Sequence, residues 1–314
     1  MTLSIIIPCY NSARFISSTL EMLLLQGLDD CEVIVVNDGS TDNTSAIVHE
    51  YALHNSCIKI IDKENEGVSV ARNTGINAAC GDYVYFLDSD DKLEDGTIEF
   101  FKKSIQTYSS LPMYAFGYVT EKDSNLLKNY SVPNLNDKVM DKALLTESFF
   151  TKKLSVNICS SIYERNFLNQ YSIRFTPGVK IGEDVEFILR ALLQAHSLYY
   201  NSRICFKYQI RDDSTMQGYK TYKTVNSWIT NKEIIDELGQ DEYKLFYNYW
   251  LINRYIGKLY VYLRYGKKSE TIKETFINTK YFLSLPTKNY GKIYFLSRIL
   301  KIFPMKLLFL LFRK

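Results

Sequence analysis

The chain lacks paired cysteines, and its histidines are few and isolated. The cysteines stand singly, without any CxxC pair, at positions 9, 31, 57, 80, 159 and 205. The three histidines are His49, His54 and His196. This pattern excludes a disulfide framework and makes a zinc site unexpected. We therefore expect buried thiols in a reducing compartment.

Two common glycine-rich nucleotide-binding motifs are also missing. The turn after the first predicted strand reads Pro-Cys-Tyr-Asn-Ser at residues 8–12, without GxGxxG, and the Walker A pattern is absent from the chain. A dinucleotide cofactor is therefore not expected. The chain enters its first strand without a basic lead-in, so we expect no signal peptide.

Acidic residues are missing from the last part of the chain. Glu274 is the last of them, and eight lysines and arginines follow it. The total formal charge is +3, so the rest of the chain carries −5. A mildly acidic body with a purely basic tail directs that tail towards an anionic surface.

The tail, residues 292–314, has no apolar run long enough to cross a membrane, which takes about 20 residues in a helix. Residues 292–303 place apolar side chains on one helical face and Lys292, Arg298 and Lys301 towards the other. This pattern favours an in-plane membrane anchor. The alternative is a helix that packs on the protein's own core or on a second copy of the chain.

What the sequence does contain is an alternation of strand-like and helix-like segments. Strand patterns occur at residues 3–8, where Pro8 is expected to end the strand, and at 33–36, 58–61, 83–87 and 113–119. The alternation predicts an α/β fold with a doubly wound, mostly parallel sheet flanked by helices. From about residue 219 the pattern is helical and rich in tyrosine, which predicts a helical C-terminal extension.

The most informative stretch, Asp88-Ser89-Asp90-Asp91, directly follows one of these apolar strands. Three carboxylates this close repel one another, and a bound cation relieves the repulsion. Ligation by carboxylates alone favours Mg²⁺ or Mn²⁺, and Asp88 and Asp90 can face the same side of an extended chain. The simpler alternative is an acidic turn in which Ser89 or Asp91 caps the following helix.

Polar side chains also follow the other predicted strands. They are Tyr10 and Asn11 after the first, Asp38 after the second, and Arg72 and Asn73 early in the helix after the third. The carboxyl ends of parallel strands open on one edge of the sheet, where α/β proteins bind ligands. An aromatic face, a carboxylate acceptor, a guanidinium and a metal site together suit a base, a ribose and a diphosphate.

Four short motifs follow one another along this part of the chain. They are SIIIPCYN at Ser4–Asn11, VVNDGSTD at Val35–Asp42, GVSVARNTG at Gly67–Gly75 and FLDSDD at Phe86–Asp91. In order and spacing they resemble the motifs of the family 2 glycosyltransferases. Membership of that family implies a GT-A fold, a nucleotide-sugar donor and inversion at the transferred sugar carbon.

The resemblance also implies roles for individual residues. Pro8, Tyr10 and Asn11 correspond to the loop that holds the nucleoside, with Tyr10 stacking on the base. Asp38 corresponds to the carboxylate that accepts the base N–H, and Arg72 to the residue that closes over the nucleotide. The structural alternatives are a half-buried core aromatic for Tyr10, an Asx turn for Asp38, and a salt bridge for Arg72 with Asp38 as one partner.

The acidic stretch corresponds to the family's DxD motif. The resemblance assigns Asp88 to the ribose and the donor sugar, and it assigns the metal to Asp90 with help from Asp88. Ser89 belongs with the nucleotide-binding residues. The segment Tyr208–Ser214 resembles a stretch near the diphosphate, where Arg211 is expected to neutralise charge. The implied cofactor is Mn²⁺ or Mg²⁺, and the implied donor is a nucleotide-diphosphate sugar.

The segment GEDVEF at Gly182–Phe187 resembles the family's ED motif and begins a predicted helix. Asp184 borders the apolar face of that helix, whose dipole favours an ionised carboxylate at this end. A general base has to be unprotonated and sheltered. We therefore expect Asp184 to be the catalytic base and Glu183 to support acceptor binding. The alternative is that both carboxylates serve only the helix dipole.

Together these patterns predict a metal-dependent inverting glycosyltransferase that uses a UDP-sugar and a lipid-linked saccharide acceptor in surface-polysaccharide synthesis. The expected place is the cytoplasmic face of the cell membrane, with peripheral attachment, no nucleic-acid partner and a homodimer left open. The alternatives are a sugar-nucleotide pyrophosphorylase, which would need a glycine-rich, arginine-containing loop after the first strand, and a catalytically inactive nucleotide-sugar-binding protein.

Three regions are expected along the chain. Residues 1–110 would form the nucleotide-sugar-binding half of the GT-A domain, and residues 111–215 the acceptor-binding half. Residues 216–314 would form the helical C-terminal region that ends in the basic tail.

Overall fold

The computed structural model describes residues 2–179, 181–210, 227–265, 270–289, 291–305 and 309. The chain divides into two compact units. The first unit consists of Met1–Lys142 and Ser155–Arg211, and the second unit of Ala143–Leu154 and Asp212–Lys314. The functional division expected near residues 110 and 215 remains a prediction.

The strands occupy the first unit. In chain order they are β1 (Leu3–Cys9), β2 (Cys31–Asp38), β3 (Ile58–Lys63), β4 (Tyr83–Phe86), β5 (Lys92–Leu93), β6 (Met113–Lys122), β7 (Asn125–Asn129), β8 (Lys138–Asp141), β9 (Ser161–Glu164) and β10 (Ser197–Gln209).

The described helices are distributed over both units. In chain order they are α1 (Ile16–Leu25), α2 (Thr44–His54), α3 (Val68–Ala78), α4 (Thr97–Thr107), α5 (Lys142–Phe150), α6 (Arg165–Gln170), α7 (Glu183–Gln194), α8 (Ser227–Leu238), α9 (Lys244–Tyr265), α10 (Glu270–Asn278) and α11 (Lys292–Ile302).

The strands form one sheet in the order β3-β2-β1-β4-β9-β6-β10-β5, with β7 beside β6 and β8 beside β10. The run from β3 to β4 is parallel, β9 is antiparallel to both its neighbours, and β6 and β10 are again parallel. Every residue of β1 and β2 is buried, as expected for strands covered on both faces. The predicted α/β fold with flanking helices and a helical C-terminal extension is confirmed.

Pro8 does not end the first strand, contrary to the prediction. β1 continues to Cys9, and Pro8 pairs with Val36 of β2. On its other side β1 pairs with β4 only as far as Ile6. Proline is tolerated at this position because no neighbouring strand needs an N–H there.

The helix α3 lies directly against β1 through a glycine. A Cβ atom on Gly75 would come within 2.3 Å of Ile6 Cγ2, so only glycine permits this approach. The contact holds α3 against the centre of the sheet. Arg72, about one helical turn before Gly75, is thereby placed close to the strand ends.

The second unit is helical around an aromatic core. Trp228 stacks on Phe276 with ring centroids 5.0 Å apart, and the Tyr255 hydroxyl donates to the Phe276 carbonyl at 2.8 Å. Among the residues that the structure describes, no helix is both long and apolar enough to cross a membrane.

Candidate active site

The loops after β1 and β2 are joined by hydrogen bonds at one edge of the sheet. The Asn11 N–H donates to Ser40 Oγ at 2.9 Å, and the Thr41 N–H donates to Asn11 Oδ1 at 2.8 Å. Asn11 has a positive φ of 51°, a conformation that asparagine tolerates better than most residues. Tyr10 is 54% exposed beside it. Its ring is available to a ligand, and the half-buried core alternative is wrong.

Asp38 ends β2 with a buried carboxylate that organises the segment before α3. Its oxygens accept the N–H groups of Glu66 at 3.0 Å and Gly67 at 2.8 Å, and Lys63 Nζ at 2.8 Å. The side chain of Asn37, rather than that of Asp38, accepts a backbone N–H of the following loop, that of Ser40 at 3.2 Å. A carboxylate offers about four acceptor positions, so these three bonds leave room for one further donor.

The acidic turn does not cap a helix, so that alternative is wrong. Strand β5 follows the turn, and α4 begins only at Thr97, after Gly96. The Ser89 hydroxyl hydrogen-bonds the Ser12 hydroxyl at 2.8 Å, which ties the turn to the loop after β1. Asp90 is partly exposed.

Asp91 is the buried member of the turn, and its Oδ1 accepts the Gln209 N–H at the end of β10 at 2.9 Å. This bond fixes the turn from the opposite side of the sheet. Asp88 is more open, with 32% of its side chain exposed. The three acids therefore differ in burial, although the sequence presents them as equivalent.

Arg72 brings together side chains from distant parts of the chain. Its Nη2 donates to Asp88 Oδ1 at 2.8 Å and its Nη1 to Glu183 Oε1 at 3.4 Å, whereas Asp38 pairs with Lys63. Burial alone would lower the pKa of Arg72, but the Asp88 and Glu183 carboxylates outweigh burial and raise it. The guanidinium is a permanent positive charge between the acidic turn and α7.

Glu183 and Asp184 are the first two residues of α7, directly after Gly182. Burial and the neighbouring Asp184 raise the pKa of Glu183, while Arg72 opposes that shift. Asp184 Oδ1 accepts the N–H of Val185 at 2.8 Å. Because Glu183 forms an ion pair, the helix dipole is not its only interaction.

Sequence reasoning missed one side chain beside the acidic turn. Ligand atoms of Asp88, Asp91 and Cys159 lie within 4.8 Å of one another. The two carboxylates suit Mg²⁺ or Mn²⁺. Burial, Asp88 and Asp91 raise the pKa of Cys159 well above its ordinary value, which makes the thiol a poor ligand. Among the described residues, Asp90 is not in this group, and its role as a ligand remains a prediction.

Cys159 approaches the turn because β9 is antiparallel to β4, so that the start of β9 lies beside the end of β4. Residue patterns do not reveal this reversal of direction. The sequence places Arg211 near the diphosphate, and that residue lies outside the described residues.

A mixed sheet with a parallel β3-β2-β1-β4 run, an acidic turn after β4 and a helix that begins with Glu183-Asp184 defines a GT-A-type glycosyltransferase domain. The chain belongs to Glycosyl transferase family 2, whose model matches residues 4–161. The family resemblance stated from the motifs is thus confirmed.

The chain is similar to several bacterial glycosyltransferases. It is 29% identical over 254 residues to "Uncharacterized glycosyltransferase EpsJ" of Bacillus subtilis, covering 79% of this chain and 70% of EpsJ. It is 28% identical over 218 residues to "Glycosyltransferase GlyA" of Streptococcus pneumoniae, covering 68% of this chain but only 31% of GlyA. The chain thus spans less than a third of that longer relative.

Solved structures show the same fold. Residues 1–349 of S. aureus TarS in complex with UDP-GlcNAc superpose with a TM-score of 0.75 at 19% identity, covering 96% of this chain and 88% of that one. Mannosyltransferase PcManGT from Pyrobaculum calidifontis, in complex with GDP-Man and Mn²⁺, gives a TM-score of 0.55 at 15% identity, covering 99% and 86%.

Proposed function

We propose that this chain is an inverting, metal-dependent glycosyltransferase that moves a sugar from a UDP-sugar to a lipid-linked glycan acceptor. The observation that carries the proposal is Arg72, which pairs with Asp88 of the acidic turn and with Glu183 of α7. One buried cation thus links the predicted donor-binding edge to the predicted acceptor-binding helix. A nucleotide diphosphate beside Asp88 needs such a fixed positive charge.

The proposed donor is a uridine nucleotide. Tyr10 presents an exposed ring for stacking, and Asp38 retains room to accept the N–H of uracil. The complex of TarS with UDP-GlcNAc supports this choice by its fold. The alternative donor is a GDP-sugar, such as the GDP-Man bound in the PcManGT complex.

The proposed chemistry is a single displacement. Asp184 accepts the proton of the acceptor hydroxyl, whose oxygen forms a bond to the anomeric carbon. The bond from that carbon to the diphosphate oxygen breaks, and its electron pair leaves with the nucleotide diphosphate. Arg72 offsets the charge that develops there. A bound Mg²⁺ or Mn²⁺, held by Asp88 with Asp90, would supply further charge neutralisation.

The proposed acceptor is a lipid-linked saccharide reached at the cytoplasmic face of the membrane. The charge pattern supports this, because the last forty residues contain eight basic residues and no acidic residue. A relative named "Minor teichoic acid biosynthesis protein GgaB" of Bacillus subtilis, 29% identical over 276 residues, supports a role in making surface polymers. A homodimer through the same tail is the alternative.

The test is nucleotide release from a panel of UDP- and GDP-sugars, with Mn²⁺ or with EDTA, in the presence of an undecaprenyl-linked saccharide. We expect Mn²⁺-dependent UDP release that rises when the acceptor is added. Asp88→Asn should abolish the Mn²⁺-dependent release of UDP. Asp95→Asn, which changes an exposed acid of the same segment, is the matched control and should behave like the wild type.

Two other results would contradict the proposal. Formation of a UDP-sugar from UTP and a sugar 1-phosphate would identify a pyrophosphorylase. Tight UDP-sugar binding without turnover on any acceptor would identify an inactive binding protein.

A further inference from the structure

Phe175 lies in the segment between α6 and α7 and joins two of the site's supporting elements. Its buried ring stacks on Phe187 of α7 at 4.1 Å between centroids and 12° between planes. It also meets the edge of Phe86, the last residue of β4, at 5.2 Å. Phe86 precedes Asp88 by two residues, and Phe187 follows Glu183 by one helical turn. The ring therefore packs against the two elements, β4 and α7, that carry the acids paired with Arg72.

The guanidinium of Arg72 lies over this same ring. Its central carbon is 5.1 Å from the Phe175 centroid, within the range of a cation–π contact. Among the described residues its Nε has no hydrogen-bond partner, although it is buried. The orientation of Arg72 therefore depends on three contacts, with Asp88, with Glu183 and with the ring.

Asn73, the next residue along α3, holds Phe175 by its backbone. Its Nδ2 donates to the Phe175 carbonyl at 2.8 Å, and its Oδ1 accepts the Phe175 N–H at 2.9 Å. Both bonds require a side-chain amide, since a carboxylate lacks the donor and an alkyl group lacks both functions. Asn73 thus fixes the backbone of Phe175, and the preceding residue of α3, Arg72, contacts its ring.

We propose that Asn73 and Phe175 are positioning residues for the nucleotide-diphosphate site, which hold the Arg72 guanidinium between Asp88 and Glu183. The inference rests on the proposed function. Phe175 is 1% exposed, so it acts on the donor through Arg72. The pair couples the segment before α7 to the donor-binding edge, because release of Phe175 removes the support under Arg72.

The test is a double-mutant cycle on UDP affinity, measured by calorimetry with Mn²⁺ on the full chain. Asn73→Ala and Phe175→Leu should each weaken UDP binding about tenfold, the size of a partly desolvated cation–π contact. In an Arg72→Lys background, where the planar guanidinium is absent, the same changes should weaken binding less than about twofold. Asn73→Ala leaves the aromatic side chains in place, so the test does not depend on Phe175→Leu folding.

Asn77→Ala is the matched control, because Asn77 lies one turn further along α3 and contacts Arg174 of the same segment at 3.4 Å. Its UDP affinity should stay within about twofold of the wild type. Unchanged affinity in Asn73→Ala, or an equal loss in the wild-type and Arg72→Lys backgrounds, would overturn the positioning role. A wild-type chain that binds no UDP would instead overturn the proposed donor, and the positioning role with it.

Discussion

Asp184 is the side chain on which proposed turnover depends most directly. It lies at the start of α7, and one of its oxygens accepts the Val185 N–H. Asp184→Asn keeps the shape and that hydrogen bond but cannot accept a proton. We expect kcat to fall by about 10²- to 10⁴-fold, with UDP affinity within about twofold of the wild type, in steady-state kinetics and calorimetry. Normal turnover in this variant would remove Asp184 from the mechanism.

Glu32 is a residue on which folding stability, rather than catalysis, is expected to depend. Its carboxylate is fully buried in β2 and accepts Ser4 Oγ at 2.6 Å, the Cys80 N–H at 2.6 Å and Lys59 Nζ at 2.8 Å. Burial alone would raise the pKa of Glu32, but these donors outweigh burial and lower it. The folded state therefore binds this proton less tightly than the unfolded state does.

The free energy of unfolding that Glu32 contributes should therefore decrease in acid. The stability that Glu32 contributes is fully present above its ordinary pKa of 4.5 and is lost as pH falls through the lowered value. Glu32→Gln should reduce the free energy of unfolding by about 2 kcal/mol at pH 7, with a smaller loss below pH 4. Denaturant titrations at several pH values measure this. Glu50→Gln, at an exposed position, is the control, and a pH-independent difference for Glu32→Gln would contradict the ionised pairing.

The sequence predicted which residues belong to the site better than it predicted which side chains they contact. The motifs indicated Asp38, Arg72, Asp88 and Glu183, and the structure brings the last three together. They did not indicate Cys159 or Phe175, because neither carries a local signature. The position of Cys159 depends on the antiparallel direction of β9, and Phe175 contacts residues that are distant in sequence, Arg72 and Phe86. A single sequence gives no sign of either.

Among the elements, α7 is supported at both of its ends. Two carboxylates begin it, and Lys142 Nζ donates at its other end to the carbonyls of Leu192 at 3.0 Å, Leu193 at 2.6 Å and Ala195 at 3.0 Å. Burial lowers the pKa of Lys142 to about 8, so the amine is still mostly cationic at pH 7. A cation at the C-terminal end of a helix is favourable to its dipole.

Removing this cap should therefore weaken the helix that carries Asp184. Lys142→Met keeps most of the aliphatic length but leaves three carbonyls without their donor, and we expect it to lower the free energy of unfolding by about 2 kcal/mol at pH 7. Lys138→Met, an exposed change four residues earlier, should change it by less than about 0.5 kcal/mol. Equal effects in chemical denaturation would show that the three carbonyls do not need Lys142.

Some strands could be predicted from the sequence pattern and others could not. The parallel strands β1 to β4 were predictable because continuous apolar runs alternate with helical spacing. The antiparallel β9 was not, since four residues with ordinary composition carry no sign of direction. The extent of β1 past Pro8 depended on where β4 stops pairing, which is a property of the sheet rather than of the segment.

At the scale of the whole molecule, α11 carries several exposed apolar side chains near the end of the described chain. On α11 the side chains of Phe295, Leu296, Ile299 and Ile302 are exposed, at 68%, 38%, 47% and 85%. Two of them, Leu296 and Ile299, belong to the apolar face expected from the sequence. Ser297 on the opposite side of α11 is buried, so the helix packs on its own unit and still presents an apolar stripe.

This stripe is the surface that we expect to meet an anionic membrane. Phe295, Ile299 and Ile302 lie within a narrow arc of α11, and no acidic residue follows Glu274. An apolar stripe among cations suits the boundary between lipid headgroups and acyl chains. Changing all three to serine should reduce binding to phosphatidylglycerol vesicles by at least about tenfold, measured by co-sedimentation. Binding to phosphatidylcholine vesicles should be weak for both proteins.

The control and the alternative are separable in the same assay. Serine at Leu25 and Leu53, which are 89% and 83% exposed in the first unit, removes apolar surface elsewhere and should leave vesicle binding unchanged. Added salt should weaken the wild-type interaction, because part of it is charge attraction to the headgroups. If the triple variant binds vesicles like the wild type but sediments as a monomer where the wild type is a dimer, the stripe is an interface between two copies. The lipid-linked acceptor would then have to reach the active site without help from α11.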